Sequence, residues 1–209
     1  MEQILEPAGF FAAIGYLFII RQPQSAMKSA VKTAPLVIFS LLAALEGGPA
    51  FLVAGLFLSA LGDLALSRPG QSMFLYGLSA FALAHLCYVF TFAAGAPDAL
   101  FVFAQAPVLA ILLVALAVST ELWLIPYAKG LGWPVRAYVW IITAMGLTAA
   151  AHPAFLVTAG AVSFIFSDML LGLREFRFAG LEKRERFDVW VWVFYILGQM
   201  MILRGVLAF

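Results

Sequence analysis

The sequence predicts an all-α integral membrane protein, built as a bundle of eight transmembrane helices. Three observations predict it: 65% of the 209 residues are hydrophobic, 11% are charged, and the mean hydropathy is +1.04. A soluble domain carries about 25% charged residues, so the composition excludes a soluble globular fold. We expect a single polytopic transmembrane domain over residues 1–209.

Eight apolar segments have roughly the length that is needed to cross a hydrocarbon core of about 30 Å. Turn-forming stretches such as "EGGP", "SRPGQ", "GAPD" and "AHP" separate several of them. The start of the chain lacks a basic n-region and a cleavage site, which favours a retained first span over a signal peptide. The predicted spans are Ile4–Ile20, Ala30–Leu45, Pro49–Ser67, Ser72–Ala94, Ala99–Val118, Pro134–Ala151, Ala154–Leu173 and Phe187–Ala208. The longer connections are Arg21–Ser29, Ser119–Trp133 and Arg174–Asp188.

The basic residues indicate the orientation of these spans. All but Arg204 fall in or beside the odd-numbered connections, and basic loops stay on the cytoplasmic side. We therefore expect a multi-pass protein with both termini non-cytoplasmic, in the inner membrane if the cell is bacterial. The basic residues of the odd connections are Arg21, Lys28, Lys32, Arg68, Lys129, Arg136, Arg174, Arg177, Lys183, Arg184 and Arg186.

Two aspartates interrupt apolar runs and raise the question of function. Asp63 lies in "LSALGDLALS" and Asp168 in "SFIFSDMLLG". A carboxylate at membrane depth is costly unless it is protonated, paired or wetted, so such an acid suggests a functional site. At about 1.5 Å rise per residue, both lie at nearly the same level, close to the cytoplasmic end of their spans. We expect the active site to face the cytoplasmic leaflet, with the two carboxylates within about 8 Å of each other.

The surroundings of the two acids also correspond. The pairs Ala54-Gly55 and Ala159-Gly160 stand at the same distance before each acid, and the small residues Gly62 and Ser167 directly precede them. Small residues allow helices to approach closely. The match indicates a weak four-plus-four internal repeat, with spans three and seven as counterparts.

Other polar residues are predicted at the same depth and are candidates for substrate binding. Lys32 begins span two, Arg136 and Tyr138 begin span six, and Tyr195 and Gln199 lie in the inner half and the middle of span eight. Lys32 and Arg136 also fit as snorkelling anchors, and Tyr138 as an interfacial aromatic. Gln199 requires a hydrogen-bond partner at its depth, which favours a polar interior beside span eight.

The residue types restrict the chemistry. The two histidines, His85 and His152, lie at different depths, and no H-x-x-x-H motif or cysteine cluster accompanies them, so we expect no metal and no cofactor. The single cysteine, Cys87, excludes an internal disulfide, and the net charge of +1 gives no nucleic-acid signal. The G-x-G-D motif of intramembrane aspartyl proteases is incomplete, since position 60 is alanine. Acid–base catalysis by two carboxyl groups of different protonation state remains.

Five segments together resemble the YhhN-like lysoplasmalogenase family. They are "AGLFLSALGDLAL", "HLCY", "PVRAYVWIITAM", "GAVSFIFSDMLLG" and "YILGQMMI". The resemblance implies an eight-span enzyme that hydrolyses the vinyl ether bond of lysoplasmalogens, releasing a fatty aldehyde and a glycerophosphocholine or glycerophosphoethanolamine. Its acidic residues map onto Asp63 and Asp168. The sequence "VKTAP" departs from the Lys-Pro of the family.

The resemblance also defines the expected partners. The substrate would be a single-chain phospholipid, taken from membrane lipids, with its phosphate near Lys32 and Arg136. A choline head group would face Trp133, Trp190 or Tyr195 through cation–π contacts. Two other functions fit the same acids less closely: a proton-coupled small-molecule or lipid transporter, and a non-enzymatic lipid-binding protein.

Overall fold

The computed structural model describes residues 2–96, 98, 102–178 and 181–209, and the side chains of these ranges except at 2, 3 and 181–185. All regular secondary structure in these ranges is helical. The long helices are α1 Glu2–Ile19, α2 Ala26–Leu45, α3 Ala50–Leu66, α4 Gln71–Gly95, α5 Pro107–Trp123, α6 Gly132–Ala150, α7 Phe155–Gly172 and α8 Leu181–Leu207. The chain forms two compact units, which meet in the sequence between Thr91 and Phe92.

The helices confirm a multi-pass membrane protein. In the described ranges, five segments are long and apolar enough to cross a membrane, and they contain α2, α4, α5, α7 and most of α8. Two shorter apolar helices, Ile4–Ile19 and Ala50–Leu66, coincide with predicted spans one and three. Helix α6 is 19 residues long but belongs to neither group of apolar helices, so the count of eight spans stays a prediction.

In the first unit, α2 packs against both α1 and α3. Ser25 begins α2 by accepting a hydrogen bond from the Lys28 backbone N–H at 3.1 Å, which satisfies one of the free amides of the first turn. The core contains large apolar side chains that are fully buried, among them Leu36, Phe39, Leu42, Leu52 and Leu56. These side chains lie in the C-terminal half of α2 and the N-terminal half of α3, two helices that pack against each other.

In the second unit, α7 and α8 make a close contact through glycines. A Cβ atom added to Gly160 of α7 would lie 2.8 Å from the carbonyl oxygen of Gly198 and 2.8 Å from the backbone nitrogen of Ile202. Gly198 and Gly205 face the backbone of α7 in the same way. Without a hydrophobic driving force between helices in lipid, such close backbone packing is a main source of helix association.

We expect Gly160→Ala to destabilise the protein, since the new methyl group meets backbone atoms that cannot rotate away. Overpacking of this kind costs about 1–3 kcal/mol. Gly15→Ala is the matched control, because nothing lies within 4 Å of a Cβ atom at that helical position. Thermal unfolding in detergent should show a lower Tm for Gly160→Ala and an unchanged or higher Tm for Gly15→Ala, since alanine favours a helix over glycine. Equal Tm values for the two variants would contradict the glycine contact.

Several predicted boundaries were wrong. Span five was predicted over Ala99–Val118, whereas α5 begins at Pro107 and ends at Trp123. Proline fits the first turn of a helix and disfavours helical backbone in the residue before it, so a four-residue helix ends before Pro107. The connection Arg174–Asp188 is largely helical, with a π-helix over Leu173–Arg177 and the start of α8. The predicted start at Ala99 and the side chains of Lys183 and Arg184 lie outside the described residues.

Candidate active site

Asp63 forms an ion pair near the C-terminal end of α3. Its carboxylate oxygen Oδ1 lies 3.2 Å from the Nζ of Lys32 on α2, and the Asp63 residue is 2% exposed. A buried carboxylate without a counter-charge is strongly disfavoured. The ammonium group of Lys32 therefore supplies the charge that allows Asp63 to remain ionised at this position.

The helices around this ion pair are fixed by small polar and glycine residues. The hydroxyl oxygens of Ser29 on α2 and Ser67 at the end of α3 are 2.8 Å apart. Directly before Asp63, the absence of a side chain at Gly62 leaves room for the ring of Phe81 from α4; an added Cβ would lie 2.6 Å from that ring. The sequence thus places α3 between a polar contact and an aromatic contact, which fixes the direction of the Asp63 side chain.

Asp168 has a different partner. The hydroxyl group of Tyr138 on α6 donates a short hydrogen bond to Oδ2 of Asp168 on α7. Both residues are half-buried. This contact joins a carboxyl group to a neutral donor, whereas Asp63 is joined to a cation.

Two serines hold the Asp168 segment against α8. The hydroxyl of Ser163 donates to the carbonyl oxygen of Phe194 at 2.8 Å, and that of Ser167 donates to the carbonyl oxygen of Val191 at 2.8 Å. Interhelical hydrogen bonds from serine are a usual means of fixing helices in a membrane. The Ser-Asp pair of the sequence therefore combines an anchoring residue with the acid.

The remaining predicted site residues lie in the second unit. Arg136 makes a two-pronged ion pair with Glu121 of α5, with Nε–Oε1 at 2.7 Å and Nη2–Oε2 at 2.8 Å. Its guanidinium also lies 5.1 Å from the ring centre of Trp133. Tyr195 is buried with its ring edge-on to Phe164, and Gln199 is fully buried.

The structure pairs two of the predicted site residues with the acids, Lys32 with Asp63 and Tyr138 with Asp168. The predictions had assigned both to the substrate. Asp63 belongs to the first unit and Asp168 to the second, and the predicted separation of their carboxylates stays a prediction. Glu121 was missed altogether. The signal for it was an acid close after the end of predicted span five, in the same connection that leads to Arg136.

The histidines lie apart from these contacts. His85 is fully buried within α4. His152 lies in the turn before α7, where its Nδ1 accepts a hydrogen bond from the backbone N–H of Ala154 at 3.1 Å, and burial lowers the pKa of its ring. Among the described residues, no group of three or more His, Cys, Asp or Glu side chains is suited to hold a metal ion.

The fold and these contacts define a class: a helical multi-pass membrane protein in which two acids within apolar helices each have a specific polar partner on a neighbouring helix. The chain belongs to the YhhN family, which it matches over residues 27–206. All seven predicted site residues fall within this match.

Two similar proteins carry a functional name. Proteins named lysoplasmalogenase from Mycobacterium bovis (strain ATCC BAA-935 / AF2122/97) and Mycobacterium tuberculosis (strain CDC 1551 / Oshkosh) are each 32% identical to this chain over 161 residues. The aligned region covers 74% of this chain and 59% of each relative. The chain thus spans less than two thirds of the length of these relatives. No solved structure matches the chain.

Proposed function

We propose that this protein hydrolyses the vinyl ether bond of lysoplasmalogens, with Asp63 and Asp168 as its general acid–base pair. Family membership and the two relatives named lysoplasmalogenase support the substrate class. The observation that carries the chemistry is that each intramembrane acid contacts a polar side chain of a neighbouring helix, a cation for Asp63 and a phenol for Asp168.

The reaction suits two carboxyl groups. Vinyl ethers hydrolyse by slow protonation at carbon, which leaves an oxocarbenium ion that water captures. A carboxylic acid supplies the proton, and a carboxylate stabilises the cation and orients the water. The resulting hemiacetal collapses to the aldehyde and the alcohol. A positioned general acid or base contributes about 10²–10⁴-fold, and a site of low dielectric strengthens the electrostatic contribution.

The substrate would lie with its single alkenyl chain among the helices. Its phosphate would lie near the basic residues that are predicted on the cytoplasmic side. Arg136 is the candidate phosphate ligand; it is held by Glu121 through two hydrogen bonds, so a phosphate would have to share or displace that carboxylate. Trp133 and Trp190 are 79% and 56% exposed, which leaves their ring faces accessible to a quaternary ammonium group. Tyr195 and Gln199 would line the polar side of α8.

We also propose that α2–α3 and α6–α7 are counterparts in a four-plus-four repeat. Tyr138 precedes its acid by 30 positions, and Lys32 precedes its acid by one position more. In both cases the partner is the seventh residue of the helix directly before the acid's helix. With eight spans, this arrangement would place both acids at the cytoplasmic side and both termini outside.

The decisive experiment uses the purified protein with a lysoplasmalogen and with its saturated ether analogue. We expect free aldehyde from the lysoplasmalogen alone, and competitive inhibition by the analogue, whose phosphate and tail contacts do not involve the double bond. Turnover should slow in D₂O by a primary-sized isotope effect, since a proton moves to carbon in the rate-limiting step. Counterflow of intact lipid across vesicles, without aldehyde under any condition, would decide for a transporter instead.

A further inference from the structure

A π-helix follows the helix that carries Asp168, and it changes which side chains share a face with that acid. The α-helical part ends at Gly172, and the π-helix covers Leu173–Arg177. The backbone N–H of Phe178 bonds the carbonyl oxygen five residues earlier, at 3.1 Å. In such a turn, side chains five positions apart fall on one face, and π-helical turns occur frequently at functional sites.

Three contacts show that Asp168, Gly172 and Arg177 lie on one side of this segment. Asp168 faces α6 through its hydrogen bond. Leu124, in the connection of residues 124–131 that leads into α6, lies 3.2 Å from the position of a Cβ atom added to Gly172. The guanidinium carbon of Arg177 lies 4.9 Å from the ring centre of Tyr127, in the same connection. The spacing is four and then five positions, so the π-helix brings Arg177 onto the side that carries Asp168.

The connection that carries Tyr127 is folded against both α6 and the π-helix. An apolar cluster joins the three segments, and Phe176 of the π-helix packs against its buried members, which are Leu124, Ala128 and Val135. The ring of Tyr127 therefore gives Arg177 a fixed surface. A guanidinium that is already stacked on a ring loses less conformational freedom when it binds a ligand.

The charge of Arg177 is available to a ligand, whereas that of Arg136 is compensated. Arg136 donates two hydrogen bonds to the carboxylate of Glu121. Among the side chains that the structure describes, Arg177 forms no ion pair, and the residue is exposed. A stacked guanidinium keeps its in-plane N–H groups for an anion, and their fork matches the oxygens of a phosphate. Arg177 is therefore better suited than Arg136 to bind a phosphate.

The separation of Asp168 and Arg177 fits the substrate of the proposed reaction. Position 177 follows position 168 by nine residues, which is at most about 13 Å along the axis at about 1.5 Å rise per residue. In a lysoplasmalogen, three carbons and two oxygens separate the alkenyl carbon from the phosphorus, which is a shorter distance. Helical side chains leave the backbone toward the N-terminus of their helix. The long side chain of Arg177 can therefore cover the difference.

We infer that Arg177 binds the phosphate of the single-chain substrate, that Tyr127 positions its guanidinium, and that the π-helix places it on the side of Asp168. This assignment rests on the proposed function and deepens it, because Arg177 takes the place of Arg136 at the phosphate while Arg136 keeps Glu121. All of these residues belong to the second unit.

Binding of two non-hydrolysable single-chain lipids tests the assignment without turnover. One probe is a 1-alkyl-glycerophosphocholine, and the other is the corresponding 1-alkylglycerol, which lacks the phosphate. Titration of the purified protein gives the phosphate preference, which is the Kd of the alkylglycerol divided by that of the phospholipid. We expect Arg177→Gln to reduce this preference at least tenfold, because charge-assisted hydrogen bonds to the phosphate are lost. The Kd of the alkylglycerol should stay within about twofold.

Two further variants separate a specific site from a general attraction to basic residues. Lys129→Gln removes an exposed cation two positions after Tyr127, in the connection and not on the side of Asp168, and should leave the phosphate preference within about twofold. The double variant Glu121→Gln/Arg136→Gln removes that ion pair as a unit and should also keep the preference. Loss in the double variant with the preference kept in Arg177→Gln would overturn the assignment, as would equal losses in Lys129→Gln and Arg177→Gln.

Tyr127→Leu tests the positioning role of the ring. This variant keeps the charge of Arg177 but removes the surface that orients it, so the phosphate preference should fall about threefold, less than in Arg177→Gln. An unchanged preference would show that Tyr127 does not position the guanidinium. If Arg177→Gln does not fold, Arg177→Lys decides, because an ammonium group lacks the planar fork. We expect a loss of at least about threefold in Arg177→Lys, and an unchanged preference would reject the phosphate contact.

A two-chain phosphatidylcholine and the turnover assay complete the test. Equal binding of the two-chain lipid, lost in Arg177→Gln to the same extent, would identify a general lipid head-group site and reject a substrate site. In turnover, Arg177→Gln should raise KM for a lysoplasmalogen at least tenfold and change kcat less than twofold, a split that a folding defect does not produce. Absence of aldehyde from the wild-type protein would reject the proposed function, whereas the Kd ratios would still decide whether Arg177 binds the phosphate.

Discussion

Asp63→Asn and Asp168→Asn should each abolish aldehyde release while the protein remains folded and inserted in the membrane. Each substitution removes a proton-transfer or charge role, and a general acid or base contributes at least about 10²-fold. The shape of the side chain is kept, and an asparagine at position 63 still offers an oxygen to the Lys32 ammonium group. Initial rates on a lysoplasmalogen in detergent, at equal protein and with matched unfolding curves, measure the effect.

The control for this prediction is an acid of similar kind outside the proposed site. Glu46 is exposed at the C-terminal end of α2, and Glu46→Gln should keep wild-type turnover. If either aspartate variant retained more than about a tenth of wild-type activity, its assigned role would be wrong. If both variants unfolded while Glu46→Gln did not, the two acids would be required for folding, and the loss of activity would not support a catalytic role.

That Lys32 lies level with Asp63, and Tyr138 with Asp168, was predictable from the sequence, but the contacts between them were not. Counting from the cytoplasmic ends of the spans placed Lys32 and Tyr138 near the level of the acids, because helix rise is regular. Whether two side chains at one level touch depends on the rotation of each helix about its axis. Neither hydropathy nor charge segregation carries that information, so both residues were assigned to the substrate.

The ends of the helices were also predicted only in part from the sequence. Helix α5 begins at Pro107, well inside the predicted span, because the proline ring restricts the backbone of the residue before it. The charged stretch after Asp168 was predicted to be a connection, but it forms the π-helix over Leu173–Arg177 and the first turns of α8. Charge shows that a segment avoids lipid; it does not show that the segment lacks helical structure.

The Lys32–Asp63 contact changes what a mutation at position 32 should do. As a phosphate ligand, Lys32 would affect substrate affinity and little else. As the counter-charge of a buried acid, it should affect folding and catalysis together, because its removal takes away the positive charge that lies beside the Asp63 carboxylate. Stability and activity therefore separate the two interpretations.

Lys32→Met should lower the free energy of unfolding by about 3 kcal/mol, the order expected when one partner of a buried ion pair is removed, and should reduce kcat at least about 10²-fold. Lys32→Arg keeps the charge and should retain most of both quantities. Arg68→Met, which removes an exposed cation near the end of α3, is the control and should change neither. Unfolding in detergent and initial rates on a lysoplasmalogen measure the two effects.

The double variant Lys32→Met/Asp63→Asn completes a double-mutant cycle and tests whether the two charges stabilise each other. With both charges gone, no uncompensated ion is buried, so the double variant should regain at least half of the stability that Lys32→Met loses. Its activity should stay absent, because the carboxylate itself is missing. A Lys32→Met protein with wild-type stability and only a raised KM would contradict this prediction. It would support Lys32 as a phosphate ligand and not as the residue that stabilises the charge of Asp63.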